Sequence, residues 1–315
     1  MRKITYRYVG ILFISLIYAF IYFLITTKHG LLQDPTSYYE QYSLANLNIS
    51  EAIHDLLTIL QMEDRDFATV SFSRLNGIAF IYFGTLSLLP FNIFVFMNIY
   101  ILSIAAFGLI RKISNLNLWN IFFILLSLPM IVNLHFTWRQ FAAQLIVLYF
   151  AASSYKHKRL SFLLCSLLIH PTALLSIPEK HLLLSRFKNL QRIILIIASC
   201  LVGYVIAFYS TVSFKIVNEN ALEYTKVSLW ILLLLLYLYP LLAKGTKGIQ
   251  SIIMFMPMLF TYMAFSNSLV GISRIITLGS FMSMTISLSE SPRYSRYYGI
   301  IGSASFILYI LFIRK

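Results

Sequence analysis

The side chains with the clearest chemical potential in this chain are two arginines and a histidine at the edges of apolar runs or inside them. Arg139 lies in a Trp-Arg-Gln step, His170 precedes Pro171 inside a later run, and Arg274 opens another. Ionisable groups at membrane depth are costly unless they face protein or water, so they indicate a functional site. Guanidinium groups bind phosphate oxygens bidentately and stay charged when partly desolvated, which predicts a lipid-linked phosphate or pyrophosphate as substrate.

Each of these residues also has a purely structural interpretation. Arg139 could anchor a helix end beside Trp138, Arg274 could anchor its own helix, and His170 could bond a carbonyl freed by the following proline. If His170 acts chemically, it serves as a general base or stabilises charge as a cation. No P-loop, GxSxG, HExxH or paired-cysteine pattern occurs, so no metal and no cofactor are expected.

The composition places the chain in the membrane class. Apolar residues make up 59% of it and charged residues 11%, and the formal net charge is +14. The basic residues sit in short clusters between apolar spans, where they set orientation, so a nucleic-acid partner is not expected. The sequence therefore predicts an all-α polytopic membrane protein, a single integral membrane domain over residues 1–315, with about 9–11 transmembrane helices.

Most of the predicted spans are apolar runs near the length that crosses about 30 Å of hydrocarbon as helix. They are 8–26, 91–110, 117–134, 140–155, 191–209, 227–243, 249–266, 275–289 and a last helix that ends near Arg314. The shorter run 77–89 ends at Pro90 and is expected to dip into the membrane or lie at its interface. The run 160–178 is expected to break at His170 and form a re-entrant hairpin or broken helix.

The charges on the loops predict an orientation. Arg2, Lys3 and Arg7 precede the first span and place the N-terminus in the cytoplasm by the positive-inside rule. Residues 27–75 carry seven of the eleven carboxylates and form an outer acidic loop with a short interfacial helix. Residues 210–226 form a second outer loop. Arg139 and Arg274 then lie at the outer face.

Several short motifs occur together in a fixed order. They are Arg139-Gln140 followed by Ala142 or Ala143, the basic turn 156–159, Ile169-His170 with Thr172-Ala173 and Pro178, Arg274 at the start of an apolar span, and, upstream, Asp34 and Tyr38 followed by Tyr42. In this order and spacing the chain resembles the EpsG-like polysaccharide polymerases, a group of Wzy-type polymerases of O-antigen and capsule. The resemblance covers most of the chain.

The resemblance implies a membrane glycosyltransferase of GT-C-like architecture in the bacterial inner (cytoplasmic) membrane, with its active site facing the periplasm. It would join undecaprenyl-pyrophosphate-linked repeat units, with undecaprenyl pyrophosphate as leaving group, and would work beside a flippase and a chain-length regulator. On this hypothesis Arg139 and Arg274 hold pyrophosphate, while His170 activates the acceptor or completes the phosphate site. Asp34, Tyr38 and Gln140 would bind sugar.

Two other functions remain open at this point. A flippase or transporter for lipid-linked glycans would also need a cationic cavity, and a membrane acyltransferase would also use histidine and arginine in broken helices. Asp34 precedes Pro35 and is also explained as an ordinary turn residue. Lipid-linked chain length separates the three functions. Polymerase loss leaves single units outside, flippase loss leaves them inside, and acyltransferase loss leaves long unmodified chains.

Overall fold

The computed structural model describes about three fifths of the chain. The described residues are 2–28, 36, 39, 77–135, 137–151, 169, 193, 196–201, 203–204, 207, 224–244, 255–265 and 269–313. Every regular element in these ranges is an α-helix. The helices are α1 Arg2–Lys28, α2 Gly77–Leu86, α3 Phe91–Ser114, α4 Leu118–Leu125, α5 Leu128–His135, α6 Trp138–Ala151, α7 Tyr224–Leu242, α8 Phe255–Phe265, α9 Leu269–Glu290 and α10 Tyr294–Ile313.

Two of the described helices are long and apolar enough to cross a membrane, Tyr8–Lys28 of α1 and Phe91–Ser114, and the bent pair α4–α5 makes a third if it counts as one span. The helical class expected from the sequence is therefore confirmed for the described residues. The larger number of spans stays a prediction. As described, α2 has ten residues, about 15 Å of helix, and the interfacial placement of the run 77–89 also stays a prediction.

The run 117–134, predicted as a single helical span, is divided into two helices. The chain forms α4 and α5 with a bend of 78° between them. Pro129 gives the physical reason. In a continuous helix the Leu125 carbonyl would accept from the amide of residue 129, but proline has no N–H and its ring collides with that carbonyl. The helix therefore stops at Leu125 and restarts at Leu128.

At this break, backbone groups that lack a partner within the helix form hydrogen bonds with hydroxyl groups from neighbouring helices. The Leu125 carbonyl accepts from the Tyr18 hydroxyl at 2.6 Å and from the Tyr22 hydroxyl at 3.2 Å. On the other side of the break, the Leu128 amide donates to the Ser305 hydroxyl at 3.1 Å. Broken backbone inside a membrane requires such internal partners. Residues from α1 and α10 thus hold the α4–α5 junction in place.

Helix α9 is the centre of the bundle. Every residue from 275 to 288 is buried, and the helix contacts α3, α5, α6, α7, α8 and α10. By contrast, α1 exposes large apolar side chains along one face, including Phe13, Phe20 and Leu24. An exposed apolar face on a long apolar helix is what lipid contact requires. Helix α9 begins at Leu269, so Arg274 lies inside the helix and does not open it as expected.

The contacts between helices define two ends of the bundle. We call one the basic end, where α3 finishes with Arg111 and Lys112 and where Lys244, after α7, pairs with Glu290 at the end of α9. Helix α10 starts at this end and runs beside α4 in the same direction, because Gly302 approaches the Ile124 carbonyl and Ser305 bonds Leu128.

Helix α1 fixes the opposite end. Starting from the basic end, it passes Leu118 at Gly10 and reaches His135 at Thr26. The opposite end therefore holds the last turn of α1, the end of α5 and the start of α6. In α6, Tyr149 lies under the Lys112 ammonium at 3.9 Å, so α6 runs from the opposite end toward the basic end. Helix α9 runs in the same direction.

Candidate functional site at the first turn of helix α6

The first turn of α6 is fixed by two wholly buried aromatic residues. Trp138 stacks on Phe83 of α2, with ring centroids 6.3 Å apart, and meets Phe94 of α3 at 5.7 Å. Three residues later, Phe141 packs edge-on against Phe281 of α9 at 5.0 Å. Aromatic pairs at these distances bury large areas with a defined geometry. The backbone between them is consequently held between α2 and α3 on one side and α9 on the other.

Arg139 and Gln140 lie between these anchors, and both are partly buried. The first turn of a helix carries partial positive charge and favours acidic side chains, so an arginine here does not stabilise the helix. The same partial charge attracts anions, as does a guanidinium. The Gln140 Oε1 atom is buried and accepts no hydrogen bond from any residue that the structure describes. The turn thus offers a cation beside a neutral acceptor.

Arg274 lies on the same side of the α6–α9 contact as Arg139. The Gln144 amide donates to the Leu278 carbonyl at 2.7 Å, which joins the two helices one turn or slightly more past each arginine. Since both helices run toward the basic end, both arginines precede this contact at the opposite end. Two of the site residues named from the sequence are therefore brought to one end of the bundle, as that hypothesis requires.

A histidine that the sequence analysis did not select lies at the same end. His135, the last residue of α5, is wholly buried, and its Nδ1 atom is 2.6 Å from the Thr26 hydroxyl. That hydroxyl donates its one proton to the Tyr22 carbonyl at 2.8 Å, so it accepts from the ring, and His135 takes the Nδ1–H tautomer. The Tyr22 ring stacks on the imidazole at 5.8 Å. Two residues of α1 therefore fix this ring.

Asn133 and Thr137 connect α5 to α6. The Thr137 hydroxyl donates to Asn133 Oδ1 at 3.0 Å, and the Thr137 carbonyl accepts from the Phe141 amide as the first hydrogen bond of α6. Asn133 is 0% exposed, and its Nδ2 atom has no hydrogen-bond partner among the described residues. A buried donor without a partner is costly in a native structure and requires an explanation.

Two of the remaining site residues have a neighbour in the chain whose position the structure describes. Asp34, Tyr38 and His170 lie outside the described residues. Tyr39 is helical and packs on Phe91 and Phe94 at 5.3 and 5.2 Å. Phe94 also touches Trp138, so the segment next to Tyr38 comes within one aromatic residue of the α6 turn. Ile169, next to His170, is helical and buried in the core.

The two segments expected as outer loops lie mostly outside the described residues. Of the range 27–75, residues 27 and 28 belong to α1, and Thr36 and Tyr39 are helical. Of the range 210–226, the last three residues belong to α7. The boundaries of both loops, and the interfacial helix within the first, stay predictions.

Charge is divided between the ends of the described bundle. Among the described residues Glu290 is the one carboxylate, and it pairs with Lys244 at the basic end. The described residues at the opposite end carry positive or neutral side chains. No group of three or more histidine, cysteine, aspartate or glutamate side chains that could hold a metal occurs in the described part of the chain. The charged side chains that the structure places at this end of the bundle are thus cationic.

Comparison with protein-family models, with curated proteins and with solved structures gives no match for this chain. The resemblance to EpsG-like polymerases accordingly depends on the sequence motifs alone.

Proposed function

We propose that this protein polymerises undecaprenyl-pyrophosphate-linked oligosaccharide repeat units into O-antigen or capsular polysaccharide. The observation that carries the proposal is the position of Arg139 and Arg274, on two helices that start at the same end of the bundle, opposite the end where the flanking basic residues gather. Topological lysines and arginines are expected on the cytoplasmic side. The end of the bundle that carries the two arginines then lies on the outer side, where lipid-linked repeat units are joined.

The proposed reaction is a glycosyl transfer between two lipid-linked glycans. A hydroxyl of the incoming lipid-linked unit attacks the anomeric carbon of the growing glycan, and the bond from that carbon to the pyrophosphate oxygen breaks. Undecaprenyl pyrophosphate leaves with the electron pair, and a base takes the hydroxyl proton. Arg139 and Arg274 stabilise the charge on the leaving group, which is where preorganised donors reduce the barrier most.

The remaining residues take supporting roles in this proposal. His170 accepts the proton or completes the phosphate site, and Asp34, Tyr38 and Gln140 bind sugar. The amide oxygen of a glutamine can accept from a sugar hydroxyl, and the buried Gln140 Oε1 atom has no hydrogen-bond partner among the described residues. The aromatic anchors on either side of Arg139 keep its backbone in place during the reaction, which is what preorganisation requires.

Surface-polysaccharide banding tests this proposal. The Arg139→Ala variant should reduce the ladder to lipid core plus one repeat unit, because losing one such donor costs about 10²–10³ in rate. Arg139→Lys should restore only short chains, since lysine cannot bind phosphate bidentately. Arg296→Ala is the matched control, because this exposed arginine lies at the basic end. A full ladder from an Arg139→Ala protein that is present in the membrane would overturn the proposal.

One observation favours a flippase as second candidate. The bent pair α4–α5 is a discontinuous helix at the bundle interior, a feature that transporters use to build binding sites. The two functions differ in where substrate accumulates when Arg139 is replaced. Single repeat units exposed on the outer face support the polymerase, whereas units retained on the inner face support the flippase.

A further inference from the structure

We infer that Asn133 is an anion-binding residue whose amide nitrogen donates to a phosphoryl oxygen held at the first turn of α6. No sequence motif singled out this residue. The identification of the anion as pyrophosphate rests on the proposed function, whereas the donor geometry stands on the described residues alone.

The carboxamide of Asn133 is oriented by its partner. Its Oδ1 atom accepts from the Thr137 hydroxyl at 3.0 Å, so the NH₂ group turns away from Thr137. Thr137 directly precedes α6 and supplies the carbonyl that accepts the first hydrogen bond of that helix. The Asn133 carboxamide is therefore held at the N-terminus of α6 through Thr137, which lies two residues before Arg139. Its two N–H bonds point into wholly buried surroundings.

The Asn133 atom without a partner is a hydrogen-bond donor, so the ligand must offer an acceptor. The Nδ2 atom bonds no described residue, and a buried donor of this kind is expected to find an acceptor. The N-terminus of a helix is electropositive, and Arg139 in its first turn adds a full charge. An amide NH₂ group without a partner, a helix N-terminus and a guanidinium together are complementary to an oxygen that bears negative charge. A sugar hydroxyl would not need three positive or donor groups.

Asn98 provides a matched control. It is also wholly buried, and its Nδ2 atom donates to the Phe94 carbonyl at 2.8 Å, which leaves its Oδ1 atom without a partner among the described residues. The two asparagines thus differ in which amide atom lacks a partner. Replacing Asn98 by leucine also removes a buried amide, but the NH₂ group that is lost there was already bonded to a backbone carbonyl.

The test is calorimetric titration of inorganic pyrophosphate into the purified full chain in detergent. We expect Asn133→Leu to weaken binding about tenfold or more, the usual effect of losing a hydrogen bond to a charged group. Asn133→Asp should weaken it further. Aspartate keeps the oxygen that accepts from Thr137, but it replaces the unpartnered NH₂ group by a negatively charged oxygen that repels the anion. Asn98→Leu should bind pyrophosphate as the unmodified protein does.

Melting temperature separates binding from folding. If Asn133 served only to hold Thr137, Asn133→Leu would lower the melting temperature and leave the pyrophosphate affinity of the folded protein unchanged. Equal pyrophosphate affinity in the unmodified protein, Asn133→Leu and Asn133→Asp overturns the inference. Glycerol phosphate is titrated in parallel as a headgroup mimic. If it binds through Asn133 while pyrophosphate does not, the ligand is a phospholipid headgroup and the pyrophosphate assignment is wrong.

The outcomes also distinguish this inference from the proposed function. If Arg139→Ala abolishes the ladder while Asn133→Leu keeps normal pyrophosphate affinity, the inference fails and the polymerase stands. If pyrophosphate affinity depends on Asn133 while the ladder of Arg139→Ala is complete, the anion site stands and the polymerase fails.

Discussion

The tyrosine hydroxyls at the α4–α5 break give a quantitative prediction. Because Pro129 has no amide proton, the Leu125 carbonyl depends on Tyr18 at 2.6 Å and Tyr22 at 3.2 Å, with the Ser127 hydroxyl at the limit of reach, 3.5 Å. Replacing either tyrosine by phenylalanine leaves the other hydroxyl in place. Each single variant should therefore lose about 0.5–1.5 kcal/mol of unfolding free energy, the net value of one hydrogen bond.

The double variant should lose more than the sum of the two single variants. With both hydroxyls gone, the buried carbonyl keeps no well-placed partner among the described residues, and an unsatisfied buried group costs about 1–3 kcal/mol. We expect a coupling energy of about 1 kcal/mol between Tyr18 and Tyr22. Phenylalanine leaves no cavity in either case, so packing changes little.

Denaturant titration in detergent micelles, followed by tryptophan fluorescence, measures these free energies. Thr27→Val is the control, because its hydroxyl also donates to a carbonyl, that of Phe23 at 3.0 Å, but at an exposed position in the last turn of α1. It should cost less than about 0.5 kcal/mol. Strictly additive losses, or a double variant as stable as the unmodified protein, would refute the account of the break.

Two further predictions concern backbone geometry. Pro129→Ala restores an amide proton for the Leu125 carbonyl and should let α4 and α5 straighten, so that polysaccharide chains shorten while the protein stays folded; a normal ladder contradicts this. Gly203→Ala should lower the melting temperature markedly, because its Cβ would lie 2.5 Å from the Met258 carbonyl oxygen, whereas Gly108→Ala meets nothing within 4 Å and should be neutral or slightly stabilising. Equal melting temperatures for these two variants would contradict the packing described here.

The sequence predicts the apolar helices well and the interruptions poorly. Runs such as 8–26 and 91–110 correspond to α1 and α3, because a long apolar stretch has few stable alternatives in a membrane. The break at Pro129 was missed because the flanking residues are as apolar as those of a continuous helix. The hydroxyls that satisfy the broken backbone come from Tyr18, Tyr22 and Ser305, which lie far away in the chain.

The site shows the same division. Arg139 and Arg274 stand out in the sequence because charged residues at the edges of apolar runs are rare and costly. His135 and Asn133 do not, since histidine and asparagine are common near helix ends. Their roles depend on partners from other elements, Thr26 for the imidazole and Thr137 for the amide. Such pairings follow from tertiary packing and cannot be read from spacing.

The most direct test of the central claim is reconstitution. The purified full chain in proteoliposomes is supplied with an undecaprenyl-pyrophosphate-linked repeat unit, without nucleotide sugar, and the length of the lipid-linked glycan is measured over time. Our account predicts chains of several repeat units, with one undecaprenyl pyrophosphate released for each bond formed, and no lengthening in vesicles that carry Arg139→Ala. If folded, unmodified protein leaves every glycan at a single repeat unit, the protein is not a polymerase.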